Sequence, residues 1–152
     1  MIDGNVVDMT FLGSPFRNQH TIIRARLADV IERADEGAAH GLSVLFERLA
    51  LALRSHLLME DNVVYPAMIA SRDQGLRDRA ARLQQAGRDQ SGRFESLYEK
   101  WGGRAFTDAD VPAFARDLRA LAASLNERMD AEDAELYAHL PDARPGRRRV
   151  TA

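Results

Sequence analysis

The sequence predicts an all-α protein, an up-down-up-down four-helix bundle, and three observations carry that prediction. Apolar residues recur at spacings of three and four along four long stretches. Glycine, proline and capping residues punctuate those stretches, and no alternating β-branched run lies between them. A chain of 152 residues is enough for one core, because folding at that size removes roughly two-thirds of the unfolded chain's surface from water.

The first helix opens at Ser14-Pro15, a capping hydroxyl followed by proline at the first helical position. Its inward stripe is Phe16, His20, Ile23, Leu27, Val30 and Ala34, and Gly37 ends it. The second stripe runs Leu42, Leu45, Leu49, Leu53, His56, Glu60, Val63 and Ala67, with a disturbance expected near Pro66. The third runs Leu76, Ala80, Leu83, Gly87, Gln90, Phe94, Leu97 and Trp101 and closes at Gly102-Gly103. Gly87 and Gly92 lower the helix propensity of this stretch. The fourth follows the Asp108/Asp110 caps and Pro112, and runs Phe114, Leu118, Leu121, Leu125, Arg128, Glu132, Glu135 and His139 up to Pro141. The expected organisation is a leader over 1–13, the bundle over 14–140, and a basic tail over 141–152 that holds Arg147-Arg148-Arg149.

Composition narrows the function. With 45% hydrophobic residues, 29% charged residues and a net charge of −2, the chain reads as an ordinary globular protein. Nothing in that balance calls for nucleic acid; the terminal arginine run reads as a solvated tail, with contact to acidic partners or nucleic acid as the alternative. Cysteine is absent, which excludes disulfides, zinc–thiolate sites, iron–sulfur clusters and thiol nucleophiles. The start lacks a signal peptide's basic and apolar regions, and no stretch approaches the ~18 apolar residues of a membrane span. A cytoplasmic location is expected.

The inward stripes are interrupted at mid-height by residues that are costly to bury: His20, then His56 and Glu60, then Arg128 and Glu132. Taking a carboxylate out of water without a partner costs several kcal/mol, so two glutamates facing one core need a cation, a proton or hydrogen bonds. His56 and Glu60 stand at i and i+4, on one face of a helix, where two ligands can chelate one ion. The second and fourth helices also resemble copies at a constant lag of 72: Leu53, Glu60, Asp61 and Tyr65 fall on Leu125, Glu132, Asp133 and Tyr137. Under that lag His56 falls on Arg128. The bundle therefore has an expected approximate two-fold with Glu60 facing Glu132.

A lone histidine on the first helix, then His56-x-x-x-Glu60-Asp61 before Val64-Tyr65-Pro66, then Glu132-Asp133 on the last helix, resembles the hemerythrin-like HHE cation-binding family over essentially the whole bundle. The resemblance implies two irons bridged by two carboxylates, one held by histidines of the first and second helices and the other by histidines of the third and fourth. By position, His20 and His56 match the first iron's ligands, and Glu60 and Glu132 match the bridges. The departure is that no histidine lies between His56 and His139, and the third helix reads Gln84, Gln85, Arg88 and Asp89 where ligands would fall. The second iron site is expected to be gone, with Arg128 supplying its positive charge through a guanidinium that can grip one or both carboxylates.

Each of these residues also has a plainer reading. His20 alone suits a satisfied core histidine, His56-Glu60 an ordinary hydrogen-bonded pair, and Arg128-Glu132 a partly solvated ion pair. His139 suits either a late substitute ligand or a surface histidine, and Trp101, Phe94 and Tyr98 suit core filling. The function expected first is metal binding or sensing without turnover, through His20, His56, Glu60 and Glu132. The ion expected is iron, with manganese or zinc as alternatives and dioxygen or a related small ligand as a further partner. The second reading is a metal-free bundle in which Arg128 replaces a metal and the function is a homodimer or regulatory protein contact. An oxygen-activating mononuclear enzyme comes third.

Overall fold

The computed structural model describes residues 13–139. The leader expected over 1–13 (all but Gly13), the tail over 141–152 and the side chain of His139 lie outside the described residues.

Helix α1 (Gly13–Asp35) buries every residue of its expected stripe. Gly37 and Gly41 take positive φ of 75° and 74°, a conformation nearly free of cost only for glycine, and turn the chain back into α2 (Leu42–Met59). A π-helical turn over Glu60–Val64 joins α2 to α3 (Tyr65–Ile69), making one long rod. Helix α4 (Gln74–Trp101) starts where the Asp73 carboxylate accepts the Leu76 N–H at 3.1 Å. Thr107 and Asp110 form a capping box over a short 3-10 turn. Helix α5 (Val111–Glu135) follows, with Pro112 in its first turn, where its missing N–H costs nothing. No strand occurs among the described residues.

Cross-helix pairs set the antiparallel order. Gln19 on α1 meets His56 near the end of α2, while Ala39 sits beside Leu42 at the opposite end. Glu47 meets Tyr98, and Arg54 meets Glu95, between α2 and α4. Arg82 meets Glu135, and Lys100 meets Asp117, between α4 and α5. Arg24 meets Asp130, and Asp35 meets Arg119, between α1 and α5. Each residue number rises on one helix as its partner's falls on the next, which is the expected up-down-up-down arrangement. The exposed ion pairs among them report the geometry and contribute little energy.

The energy comes from two apolar clusters. The larger runs from Ile23 and Leu53 down to the aromatic group of Phe46, Phe94, Trp101 and Phe114. Phe94 and Trp101 are buried and Tyr98 is half-buried, so the α4 aromatics fill core as expected. The smaller cluster, at the other end, comprises Phe16, Val64, Tyr65, Met68, Leu76, Ala80, Leu136 and Tyr137. Each fully buried large side chain contributes about 1.5–3 kcal/mol before chain entropy is subtracted. Between the clusters lie the buried polar residues His20, His56, Glu60, Arg128 and Glu132.

Several expected inward positions are corrected: Leu45, Leu83 and Gln90 are only half-buried, and the ends of the second and fourth helices depart further. Val63 and Ala67 are half-buried, and Val64, Tyr65 and Met68 take the core instead. The cause is the π turn, in which the Tyr65 N–H donates to the Glu60 carbonyl five residues back. One additional residue in the turn moves every later inward position one place along. Pro66 explains the turn's location: its ring crowds the carbonyl four residues earlier and it donates no hydrogen bond. On α5 the helix ends at Glu135, which turns out to Arg82, and Leu136 and Tyr137 fill the core. No helix among the described residues is long and apolar enough to cross a membrane.

Candidate metal centre

His20 comes from mid-α1, His56 from the last turn of α2, Glu60 from the π turn, and Glu132 from the last turn of α5. They are 0%, 3%, 0% and 0% exposed, so the stripe phase read from the sequence does aim all four inward. One donor atom from each lies within 4.8 Å of the others, the one such group among the described residues. His20 Nε2 stands 3.1 Å from His56 Nε2, 3.6 Å from Glu60 Oε1 and 3.8 Å from Glu132 Oε1. His56 Nε2 stands 2.8 Å from Glu60 Oε1.

The outer edges of both imidazoles are held. His20 Nδ1 donates to the Asp133 carboxylate at 2.7 Å, and His56 Nδ1 donates to the Gln19 amide oxygen at 2.7 Å. With Nδ1 of each ring bonded outward, both Nε2 atoms point at the centre and at each other, and in neutral rings each of these carries a lone pair. Two acceptors 3.1 Å apart repel unless something positive stands between them. Nitrogen and oxygen ligands that share one ion at ~2.0–2.2 Å are themselves roughly 3–4 Å apart, and the contacts above fall in or close to that range. Glu132 Oε1 is buried without a hydrogen-bond partner, a costly state for a carboxylate oxygen. The donor set therefore fits a cation of the kind held by imidazole and carboxylate.

The two-fold expected from the sequence repeat is present in the hydrogen bonds. The Tyr65 hydroxyl donates to Glu132 Oε2 at 2.7 Å, and the Tyr137 hydroxyl donates to Glu60 Oε1 at 3.1 Å. Each tyrosine thus serves the carboxylate of the other repeat. Burial and the two carboxylate charges push both phenols far above their ordinary range, so they remain donors. The sequence had paired Tyr65 with Tyr137 without assigning either a role, and the lag of 72 was the signal that could have done so.

Arg128 takes the place that His56 holds in the other repeat, but its guanidinium leans away toward α4. Nη2 donates to Glu60 Oε2 at 2.9 Å, Nη1 donates to the Gly87 carbonyl at 3.2 Å, and Nε stands 3.4 Å from Glu132 Oε1 without a hydrogen bond. It therefore straddles the two carboxylates and forks neither. Gly87 is what admits it: a Cβ there would stand 2.7 Å from Arg128 Cζ. The sequence reading placed Gly87 on the inward stripe, where it is buried, but gave it no role beyond a cost to helix propensity. A glycine on an inward stripe opposite an arginine was the signal it missed.

The carboxylates divide their roles. Burial alone would raise the Glu60 carboxyl, yet the His20 and His56 rings against it and the Arg128 guanidinium hold it below the usual carboxylate range. Burial, then the charge of Glu60, pushes Glu132 well above that range, and Arg128 opposes the rise only in part. Asp133 and Gln19 were not foreseen as orienting groups. Asp133 was legible only as the copy of Asp61, which is exposed. On α4, Gln85, Arg88 and Asp89 are exposed and Gln84 is half-buried, so the third helix brings no donor into this group.

A four-helix bundle with imidazoles and carboxylates converging at mid-height defines a class of helical cation-binding proteins. The family model of the hemerythrin HHE cation-binding domain matches residues 14–140, and the chain belongs to that family. Searches of curated proteins and of solved structures return no match.

Proposed function

We propose that this protein is a mononuclear metal-binding module of the hemerythrin type, that iron is its ion, and that it binds or senses without catalysing turnover. The observation that carries the reading is the pair of Nε2 atoms facing each other at 3.1 Å with both Nδ1 protons held outward. His20, His56, Glu60 and Glu132 would be the ligands. Asp133 and Gln19 would fix the ring orientations, and the two tyrosines would fix the carboxylates. Iron would supply a coordination centre able to change oxidation state and to take a small ligand such as dioxygen. Manganese and zinc suit the same donors.

Arg128 supports a single ion. It places a permanent positive charge against Glu60 on the side of the bundle where the repeat would otherwise put a second imidazole. Four protein ligands, with an arginine and two tyrosines packed around them, favour holding an ion over opening it to a substrate.

One observation favours the metal-free alternative. The 2.8 Å contact from His56 Nε2 to Glu60 Oε1 is also the length of an N–H···O bond, so a proton could take the cation's place. Thermal denaturation separates the two. Iron(II), manganese(II) or zinc(II) in excess should raise the midpoint of the wild type by several degrees, since a ligand at a hundred times its Kd adds about 2.7 kcal/mol. The midpoint of His56→Ala should not move. A wild type whose midpoint ignores all three ions supports the metal-free bundle.

A further inference from the structure

The described surface is one-sided. Its exposed large apolar side chains, Ile22, Val44, Leu51, Leu58 and Met59, all lie on α1 and α2. Leu51 and Leu58 are 70% and 65% exposed. Val44, Leu51 and Leu58 stand seven residues apart on α2, the spacing that keeps a row of side chains on one line facing another helix. Arg48 and Ser55 lie between them and are also exposed. Beside the row, toward α1, lies a hollow lined by Gln19, Ile22, Ala52, Ser55, His56 and Met59.

The size of this face bears on what covers it. The exposed fractions correspond to roughly 500 Å² of apolar surface, in the upper part of the ~300–600 Å² range of a monomer's largest patch. With Arg26, Arg48, Ala52 and Ser55 around it, the face approaches the ~800 Å² that each partner gives to a standard interface. The border alternates in sign, with Arg26 and Arg48 beside Asp29 and Glu47. A strongly acidic or strongly basic partner gains nothing from such a border, whereas a second copy of this chain carries the same alternation.

We infer that the α1–α2 face is a self-association surface on which a second copy packs its own α1–α2 face. The contact is isologous. A two-fold axis near Leu51 sets the Val44 end of one row against the Leu58–Met59 end of the other. The second copy also closes the hollow over the His56–Gln19 pair and so keeps water from the outer edge of that imidazole. The association itself stands on the apolar face and does not depend on the metal reading.

Sedimentation equilibrium on the full chain tests it, once with a chelator present and once with zinc(II) added. The wild type should sediment at twice its 17.0 kDa chain mass in both conditions. Leu51→Glu combined with Leu58→Glu should halve that mass and leave the helical circular dichroism intact, because both side chains project into solvent in the monomer. Arg88→Glu, on the exposed face of α4, should leave the dimer unchanged. If the double variant loses helicity, Leu51→Gln alone should still weaken association by tenfold or more. A wild type that stays at the chain mass up to millimolar concentration overturns the inference, and so does a folded double variant that remains a dimer.

Discussion

The two halves of the buried site start from the same pattern and end differently. Each offers a glutamate, an aspartate one residue later and a tyrosine five residues after the glutamate. At the residue four before the glutamate, one half has His56 and the other Arg128. His56 turns its Nε2 to the centre and is steadied from outside by Gln19. Arg128 turns away, to Glu60 and the Gly87 carbonyl, and α4 supplies only the space it needs. One substitution thus separates a half that can hold an ion from a half that carries its own charge. The aspartates diverge as well: Asp133 orients His20, while Asp61 faces solvent.

The largest effect should come from removing the built-in charge. Arg128→Met leaves Glu60 without its buried cation, and the loss of one partner of such a pair typically costs about 3–5 kcal/mol. Urea unfolding of the metal-free protein should show it, and added zinc(II) should recover more stability in the variant than in the wild type. A loss below about 1 kcal/mol would mean that the arginine is solvated and the halves are less different than described.

A middle-sized effect should distinguish the aspartates. Asp133→Ala should weaken metal binding about 10–100-fold by freeing the His20 ring, whereas Asp61→Ala should leave affinity unchanged. Equal effects in a metal titration would erase the contrast between the two repeats.

The last contrast, which includes the smallest effect, concerns glycine. Gly87→Ala should destabilise by about 1–3 kcal/mol, because the methyl would press on a guanidinium held at both ends. Gly92→Ala, where a Cβ meets open space, should stabilise by about 0.5–1 kcal/mol through helix propensity alone. In an Arg128→Met background the Gly87→Ala cost should shrink, a coupling that a double-mutant cycle reads directly.

Much of this was legible in the sequence because helical periodicity reports which face is buried. The α1 stripe was read residue for residue, and His20, His56, Glu60 and Glu132 were placed inward on the phase of their leucine neighbours. What periodicity could not give was a change of period. The π turn shifted Val63 and Ala67 out of the core in favour of Val64 and Met68, and Pro66 signalled a disturbance without saying which kind. Contacts that cross the bundle were equally out of reach: the Tyr65–Glu132 and Asp133–His20 bonds join residues 67 and 113 positions apart. Gly87 was placed inward but its role was not seen, because propensity considers a helix alone and that role belongs to the helix opposite.

The most direct test of the account is the number of metal ions bound per chain. The protein, purified without a histidine tag and loaded anaerobically with iron(II), should retain about one equivalent after removal of excess metal, and His56→Ala should retain none. Two equivalents in the wild type would contradict the single-ion reading and show that Arg128 does not occupy the second half. A folded wild type that retains no iron, manganese or zinc would contradict the metal reading itself.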